Sequence, residues 1–114
     1  MESLKKNQAF REVYNHRRSV ANRLLVLYIK KNDMNVNRLG ISISRKVGKA
    51  VVRNRIKRLI KEQIRLCEKE LVLGYDLVII VRAGAAALPR AVAFKQIGES
   101  LVHLLDKQRI RGKP

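Results

Sequence analysis

The densest group of charged and hydrogen-bonding side chains lies between Arg38 and Lys61, where nine Lys or Arg residues occur without any Asp or Glu. Arginine carries a planar fork of N–H donors that fits a phosphate, and lysine carries a mobile point charge. Asn54, within this group, can donate to a phosphate, a sugar or a base edge. These side chains predict contact with a polyanion, and RNA is the polyanion that we expect.

A helix over about residues 49–69 would position most of these groups. At about 100° per residue, one face collects the polar and basic side chains Arg53, Asn54, Lys57, Arg58, Lys61 and Arg65. The opposite face collects Val52, Ile56, Leu59, Ile60, Gln63, Leu66 and Cys67. Arg55 lies near the border, and Val51 and Ile64 fit neither face. We therefore expect the apolar face to dock on the protein and the basic face to point away from it.

The basic face breaks the usual rules of helix stability. Arg53, Lys57, Lys61 and Arg65 form a ladder of like charges at i,i+4 spacing, and each such pair costs about 0.2–0.5 kcal/mol. Between Arg53 and Arg65, Glu62 is the only acid available to offset them. A solvated charged face is the alternative interpretation, but a helix selected for stability alone would mix the signs of its charges. The pattern therefore favours a site that binds nucleic acid.

The predicted RNA-binding residues extend from the loop before the helix to its last turns. They are Arg45, Lys46, Lys49, Arg53, Asn54, Arg55, Lys57, Arg58, Lys61 and Arg65.

The composition of the whole chain agrees with this interpretation. Its 114 residues fit a single domain, 1–114, and an apolar fraction of 46% excludes a disordered basic tail. A net charge of +17 indicates nucleic acid first and an anionic membrane second. Apolar runs such as Leu77 to Val81 are too short to span a bilayer, and we see no signal peptide, so no membrane partner is expected. One cysteine, Cys67, allows no disulfide within the chain and suits the reducing cytoplasm.

Periodicity predicts an α+β sandwich in which helices pack on one mixed sheet. The predicted elements are a helix over 7–17, a strand over 22–30, a polar turn over 31–37, a strand over 38–46, the basic helix, a strand over 76–82 and a helix over 90–108. With 38–46 counted as two strands, the order is α-β-β-β-α-β-α, about four strands and three helices. The turn over 31–37 predicts that its two flanking strands are antiparallel neighbours. The apolar strand over 76–82 is predicted to be central, and the tail from Arg109 to Pro114 to be frayed.

Aromatic side chains form a second candidate site. Phe10 and Tyr14 share one face of the first helix, and Tyr28 shares a strand face with Leu24 and Val26. Either core packing or contact with a ligand would explain them. Ser42 and Ser44 lie on a small, polar strand face that leaves room for something to approach the sheet.

No catalytic residue or metal ligand is predicted in the protein itself. His16 and His103 are far apart in sequence, the acids are scattered, and there is no phosphate-binding glycine motif.

Taken together, these residues resemble the protein subunit of bacterial ribonuclease P. The resemblance is carried by Arg53-Asn54-Arg55 within the basic helix and by its lead-in from Gly40 to Gly48. The segments from Phe10 to Tyr14 and from Ser19 to Arg23 are also similar, and the resemblance covers the chain apart from its two ends.

The resemblance implies a role in removing the 5′ leader of precursor tRNA. The ribonuclease P RNA would carry the chemistry with magnesium ions, and the protein would contact this RNA and the leader, with no obligate protein partner. Phe10, Tyr14 and Tyr28 match the family's leader cleft, although the family often has Phe in place of Tyr14. We assign Ser42 and Ser44 to the same leader-binding set. The family fold also implies a left-handed crossover at the basic helix.

Two other functions fit the composition. A structural RNA-binding protein of the ribosomal type would share the small size and the strong basicity. A DNA-binding architectural protein would too, although the sequence contains no recognisable helix-turn-helix.

Overall fold

The computed structural model describes residues 1–112. In chain order its elements are β1 (Glu2–Ser3), α1 (Asn7–Asn15), β2 (Ser19–Ala21), β3 (Leu25–Lys31), β4 (Arg38–Ser42), α2 (Ala50–Cys67), a 3-10 turn (Glu68–Glu70), β5 (Tyr75–Val81), α3 (Ala83–Ala86) and α4 (Arg90–Lys107). The α+β class is confirmed. The five strands and four helices exceed the predicted number because β1, β2 and α3 are too short to produce a periodic pattern. The stretch 38–46, counted as two strands, contains only β4, which ends at Ser42.

The sheet has the strand order β1-β4-β5-β3-β2. Its central strand β5 pairs parallel with β4 and antiparallel with β3. The prediction that β3 and β4 are neighbours is therefore wrong. β5 lies between them, and its Asp76 is in register with Lys30 of β3 and Arg38 of β4. The central position suits β5, because the most apolar strand gains most from partners on both edges.

The turn between β3 and β4 passes over the end of β5 instead of closing a hairpin. The Asn32 side chain donates to Asp76 across 2.9 Å, and Arg38 donates to the same carboxylate across 2.8 Å. These bonds satisfy a carboxylate that is only 5% exposed. Asn32, in the predicted turn, and Arg38, which follows it, thus hydrogen-bond to the strand that separates β3 from β4.

Both faces of β5 are covered, as its apolar sequence predicted. Leu77 and Ile79 face the main core beneath α2 and α4. Val78 faces a smaller cluster, together with Val13 of α1. All four side chains have no exposed surface. The molecule therefore has three layers, with α1 on one side of the sheet and α2 and α4 on the other.

The strand predicted over 22–30 begins only at Leu25, because the chain turns at Asn22. The Asn22 Oδ1 atom accepts the backbone N–H groups of Leu24 and Leu25 at 3.1 and 3.0 Å. A side chain that binds the backbone in this way replaces ladder hydrogen bonds and turns the chain. Asn22 thus ends β2 and lets it pair antiparallel with β3.

The connection from β4 through α2 to β5 joins two parallel neighbours. The left-handed course implied for this connection stays a prediction.

The prediction of a frayed tail is wrong for residues 109–112. Ile110 is 1% exposed, and Arg111 bonds to Asp106 across 2.6 Å. The remainder of that predicted tail, residues 113–114, lies outside the described residues. No helix within residues 1–112 has the length and apolar character needed to cross a membrane.

Candidate RNA interface

Helix α2 divides into a buried and an exposed face. Ile56 and Ile60 are at most 1% exposed and pack in the main core. Lys57, Arg58 and Lys61 are exposed on the other side. Ile64, which fits neither predicted face, is 2% exposed and belongs to the core. The apolar pattern therefore anchors the helix and leaves the predicted basic face open to solvent.

The positive charge on this face is almost unneutralised. Among the predicted RNA-binding residues, only Arg65 forms a salt bridge within residues 1–112, and its Nε lies 3.0 Å from Glu62 Oε2. This hydrogen bond lowers the pKa of the Glu62 carboxyl. The first turn of α2 contains no acid, and Lys49 at its N-cap makes no side-chain cap. A polyanion would therefore meet cations that have no competing partner here.

Arg53 and Arg55 are half-buried, unlike the exposed lysines of the ladder. Their Nε atoms are buried and have no hydrogen-bond acceptor within residues 1–112. A buried donor without an acceptor costs free energy. The buried Nε atoms are out of reach of a phosphate, so any phosphate contact of these two residues would fall to the rest of each half-buried guanidinium.

Arg45 and Lys46 lie on the turn that leads into α2. Val47 fixes this turn, because it is 8% exposed and its N–H donates to the carbonyl of Ser44 across 3.1 Å. Arg45 and Lys46 are exposed. Both cations therefore precede Lys49 on a turn that the core holds in place.

The predicted aromatic residues meet on the opposite side of the sheet, where α1 packs on β3 and β5. The Tyr14 and Tyr28 rings contact edge to face, with centroids 5.0 Å apart and planes at 78°. The Phe10 and Tyr14 centroids are 6.4 Å apart. All three residues are half-buried. Core packing and contact with a ligand, which the sequence leaves as alternatives, are thus compatible for the same side chains.

A cleft of about 580 Å³ lies between α1 and the end of β4. Its lining comprises Asn7, Phe10, Arg11, Tyr14, Ile41, Ser42 and Ile43. The structure thus brings Phe10, Tyr14 and Ser42 together. Tyr28 contributes by supporting the Tyr14 ring, and it is absent from the lining. Ser44 is exposed beyond the end of β4 and does not line the cleft either.

Comparison with known proteins shows which family the chain belongs to. The family model described as Ribonuclease P matches residues 1–109. A ribonuclease P protein component of Clostridium botulinum (strain Loch Maree) is 51% identical over 108 residues, which are 94% of this chain and 94% of that protein. The chain belongs to the ribonuclease P protein family. A relative from Alkaliphilus oremlandii is 41% identical over 94% of this chain and 90% of its own length.

Solved structures of this family share the whole architecture. The RNase P protein of Staphylococcus aureus is 37% identical and superposes with a TM-score of 0.86 over 98% of this chain and 99% of that one. The RNase P protein of Thermotoga maritima is 34% identical, with a TM-score of 0.85 over 98% of this chain and 100% of that one. The fold described above is thus the ribonuclease P protein fold.

Sequence reasoning missed part of the cleft in this member of the family. Asn7 and Arg11 line it one helical turn apart on α1, and their spacing from Phe10 and Tyr14 was the available signal. Gly40 lies against the Phe10 ring without lining the cleft, since a Cβ there would be 2.5 Å from that ring. The Phe10 ring therefore occupies the space that the missing side chain of Gly40 leaves on this strand face.

The titratable side chains outside these surfaces show no metal centre. Within residues 1–112, no three His, Cys, Asp or Glu side chains are grouped so that they could hold a metal ion. His16 caps the C-terminal end of α1, and His103 is exposed on α4. Burial raises the pKa of the Cys67 thiol, and the nearby Glu70 adds to this effect.

Proposed function

We propose that this chain, as the protein component of ribonuclease P, binds the ribonuclease P RNA through the basic face of α2. The observation that carries the proposal is the group of exposed cations Lys57, Arg58 and Lys61, with the half-buried Arg53 and Arg55 beside it. As a family member, the chain is a subunit of a ribonucleoprotein endoribonuclease.

The cleft between α1 and β4 is proposed to bind the single-stranded 5′ leader of precursor tRNA. Phe10 and Tyr14 offer aromatic faces, and stacking on such faces accepts any base. Arg11 supplies a cation for the leader backbone, and Ser42 supplies a hydroxyl. Recognition of a leader without a fixed sequence is what this combination supports.

The RNA subunit, with its magnesium ions, is proposed to carry the cleavage chemistry. The protein's contribution is electrostatic and positional, because its cations offset the repulsion between two polyanions, the catalytic RNA and the precursor. Work on precursor tRNA and a lone buried thiol both suit the cytoplasm as the place of action.

Cleavage of a precursor tRNA by a bacterial ribonuclease P RNA at low magnesium tests the proposal directly. With the protein present, we expect cleavage at the mature 5′ end, and without it we expect little product. If the folded protein gives no stimulation with a matched RNA, the proposed function is wrong. Co-sedimentation of the protein with ribosomal subunits through a high-salt wash would then favour the structural RNA-binding role.

A charge-matched pair of variants locates the RNA-binding surface. Lys57→Ala with Lys61→Ala removes two exposed charges from the basic face, whereas Lys69→Ala with Lys107→Ala removes two exposed charges elsewhere. The first pair should weaken binding of the ribonuclease P RNA and lower the slope of log K against log salt by about 1–2. The second pair should leave the slope close to that of the unmodified protein. Equal losses from the two pairs would contradict a localised interface.

A further inference from the structure

An exposed apolar patch lies beside the basic face, between α2 and α4. Phe94 is 40% exposed, and Leu66, which the sequence places on the apolar face of the basic helix, is 58% exposed. Together with Val102 they line an open groove of about 640 Å³. Large apolar side chains left at the surface next to one another mark a binding site more often than isolated ones do.

The packing of α2 against α4 holds Phe94 in a defined position. The Gln63 side chain donates from Nε2 to the carbonyl oxygen of Phe94 across 2.9 Å. Gly98 allows this approach, since a Cβ at that position would lie 2.5 Å from the Gln63 amide. The backbone that carries the ring is thus fixed on a rigid element before any ligand arrives, which lowers the entropic cost of binding.

The cations around Phe94 restrict the kind of ligand. Phe94 shares a second cavity, of about 560 Å³, with Arg55, Arg58, Lys61 and Arg65. Glu62 is the only acid in that lining, and Arg65 already pairs with it. An aromatic face bordered by Lys and Arg is the arrangement that binds single-stranded nucleic acid, because the ring stacks on a base while the cations hold the phosphates.

We propose that Phe94 is a stacking platform for an unpaired nucleobase of the bound RNA, and that Arg58 and Arg55 contact the phosphates beside that base. The proposal rests on the proposed function, in which the basic face of α2 binds RNA, and it adds an aromatic contact to a surface otherwise built of charges. A second copy of the chain fits the patch poorly, because two molecules of net charge +17 repel each other.

Three substitutions at Phe94 separate stacking from packing. Phe94→Ala removes the ring, Phe94→Leu keeps an apolar side chain without an aromatic face, and Phe94→Tyr keeps the face. Affinity for the ribonuclease P RNA should fall about 5- to 150-fold in Phe94→Ala, fall at least about 5-fold in Phe94→Leu, and stay near that of the unmodified protein in Phe94→Tyr. Leu73→Ala, at an exposed apolar residue outside both cavities, is the matched control and should have no effect.

Salt dependence gives a readout that a structural role would not produce. Phe94→Leu should lower the affinity at every salt concentration and leave the slope of log K against log salt unchanged, since no phosphate contact is lost. Arg58→Ala should lower that slope by about 1. The melting temperature of Phe94→Leu shows whether this variant is folded. If Phe94→Ala does not fold, Phe94→Leu still tests the proposal.

Photocrosslinking then identifies the ligand. A benzophenone amino acid at position 94 should crosslink to unpaired nucleotides of the ribonuclease P RNA, as mapped by primer extension. Crosslinks confined to paired nucleotides, or Phe94→Leu binding as tightly as the unmodified protein, would overturn the stacking proposal and leave the proposed function intact. Dimerisation lost in Phe94→Leu without any change in RNA affinity would also overturn it. Failure of the unmodified protein to bind the RNA would overturn both.

Discussion

Gly40 shows how one missing side chain shapes the candidate leader cleft. The Phe10 ring lies over this glycine, and an added Cβ would be 2.5 Å from its tip. Phe10 is half-buried and can rotate away, so an alanine would displace the ring without disturbing the sheet. Gly40 therefore determines the position of an aromatic face that lines the cleft.

We expect Gly40→Ala to change leader binding more than stability. The displaced ring should lose part of a stacking free energy of about 1–3 kcal/mol per base, so binding of precursor tRNA should weaken several-fold while binding of mature tRNA is unchanged. Competition between the two tRNAs for the assembled holoenzyme measures this difference. Met34→Ala, at an exposed residue outside the cleft lining, is the control and should change neither binding. Equal weakening of both tRNAs would show that Gly40 acts on the fold and not on the cleft.

Asn22 connects three elements with one side chain. Its Oδ1 accepts from Leu24 and Leu25 and from the Ser100 hydroxyl, which lies 2.8 Å away, and its Nδ2 donates to the Ser100 carbonyl. The two strands β2 and β3 are thereby fastened to α4 at the point where the chain turns. The turn between β2 and β3 shows no side-chain periodicity, and the hydrogen bonds of Asn22 determine its conformation.

Asn22→Ala should lower the free energy of unfolding by about 1–3 kcal/mol, because it leaves two backbone N–H groups without their acceptor. Asn22→Asp keeps the acceptor oxygen and should cost less. Urea denaturation of the two variants and of Ser100→Ala tests this order. In a double-mutant cycle, Asn22→Ala and Ser100→Ala should combine with less than additive cost, since they share a hydrogen bond. Strict additivity would contradict the shared network.

The elements differ in how well the sequence predicts them. Helix α2 could be placed because Ile56 and Ile60 repeat at helical spacing, and β5 could be called central because its apolar run leaves no solvent face. The separation of β3 from β4 by β5 could not be predicted, since the bonds from Asn32 and Arg38 to Asp76 join residues about 40 positions apart in sequence. Phe94 lies one turn before the buried Ile97 and Gly98 on α4, so its 40% exposure could not be predicted from its helical position.

The segment after α4 is held by an ion pair that acid should weaken. Arg111 donates to Asp106 across 2.6 Å, and the Val72 N–H donates to the Ile110 carbonyl across 2.7 Å. The bond from Arg111 lowers the pKa of Asp106. Asp106 therefore has a lower pKa in the folded protein than in the unfolded chain, where it is 3.8. The ion pair stabilises the folded state at pH values above 3.8, and this stabilisation is lost as the pH falls through the pKa of the folded state.

Hydrogen exchange at Val72 should report this loss. Below pH 3.8, the protection of the Val72 amide should fall more than that of amides in the central strand β5. Arg111→Ala should reduce Val72 protection already at neutral pH and remove the extra acid sensitivity. Unchanged protection in Arg111→Ala would show that burial of Ile110 alone holds the segment.

The whole molecule carries a charge that its free state does not need. A net charge of +17 opposes compactness, and the ladder on α2 concentrates that repulsion at i,i+4 spacing. A polyanion would offset the repulsion on binding. The structure therefore predicts that stability and RNA binding conflict along this helix, and that one substitution can separate them.

Lys57→Glu makes that separation measurable. A carboxylate at position 57 would lie one turn from both Arg53 and Lys61, so two repulsive pairs become attractive and the free protein should gain about 1 kcal/mol of unfolding free energy. The gain should shrink in high salt, where the Debye length falls below the spacing of exposed charges. Affinity for the ribonuclease P RNA should fall by more than in Lys57→Ala, because the new charge repels phosphate. Lys69→Glu makes the same change of charge outside the ladder and should alter neither property to this degree. A Lys57→Glu protein that was no more stable than the unmodified chain would mean that the ladder is not strained, and the physical argument for a site selected to bind a polyanion would lose its main support.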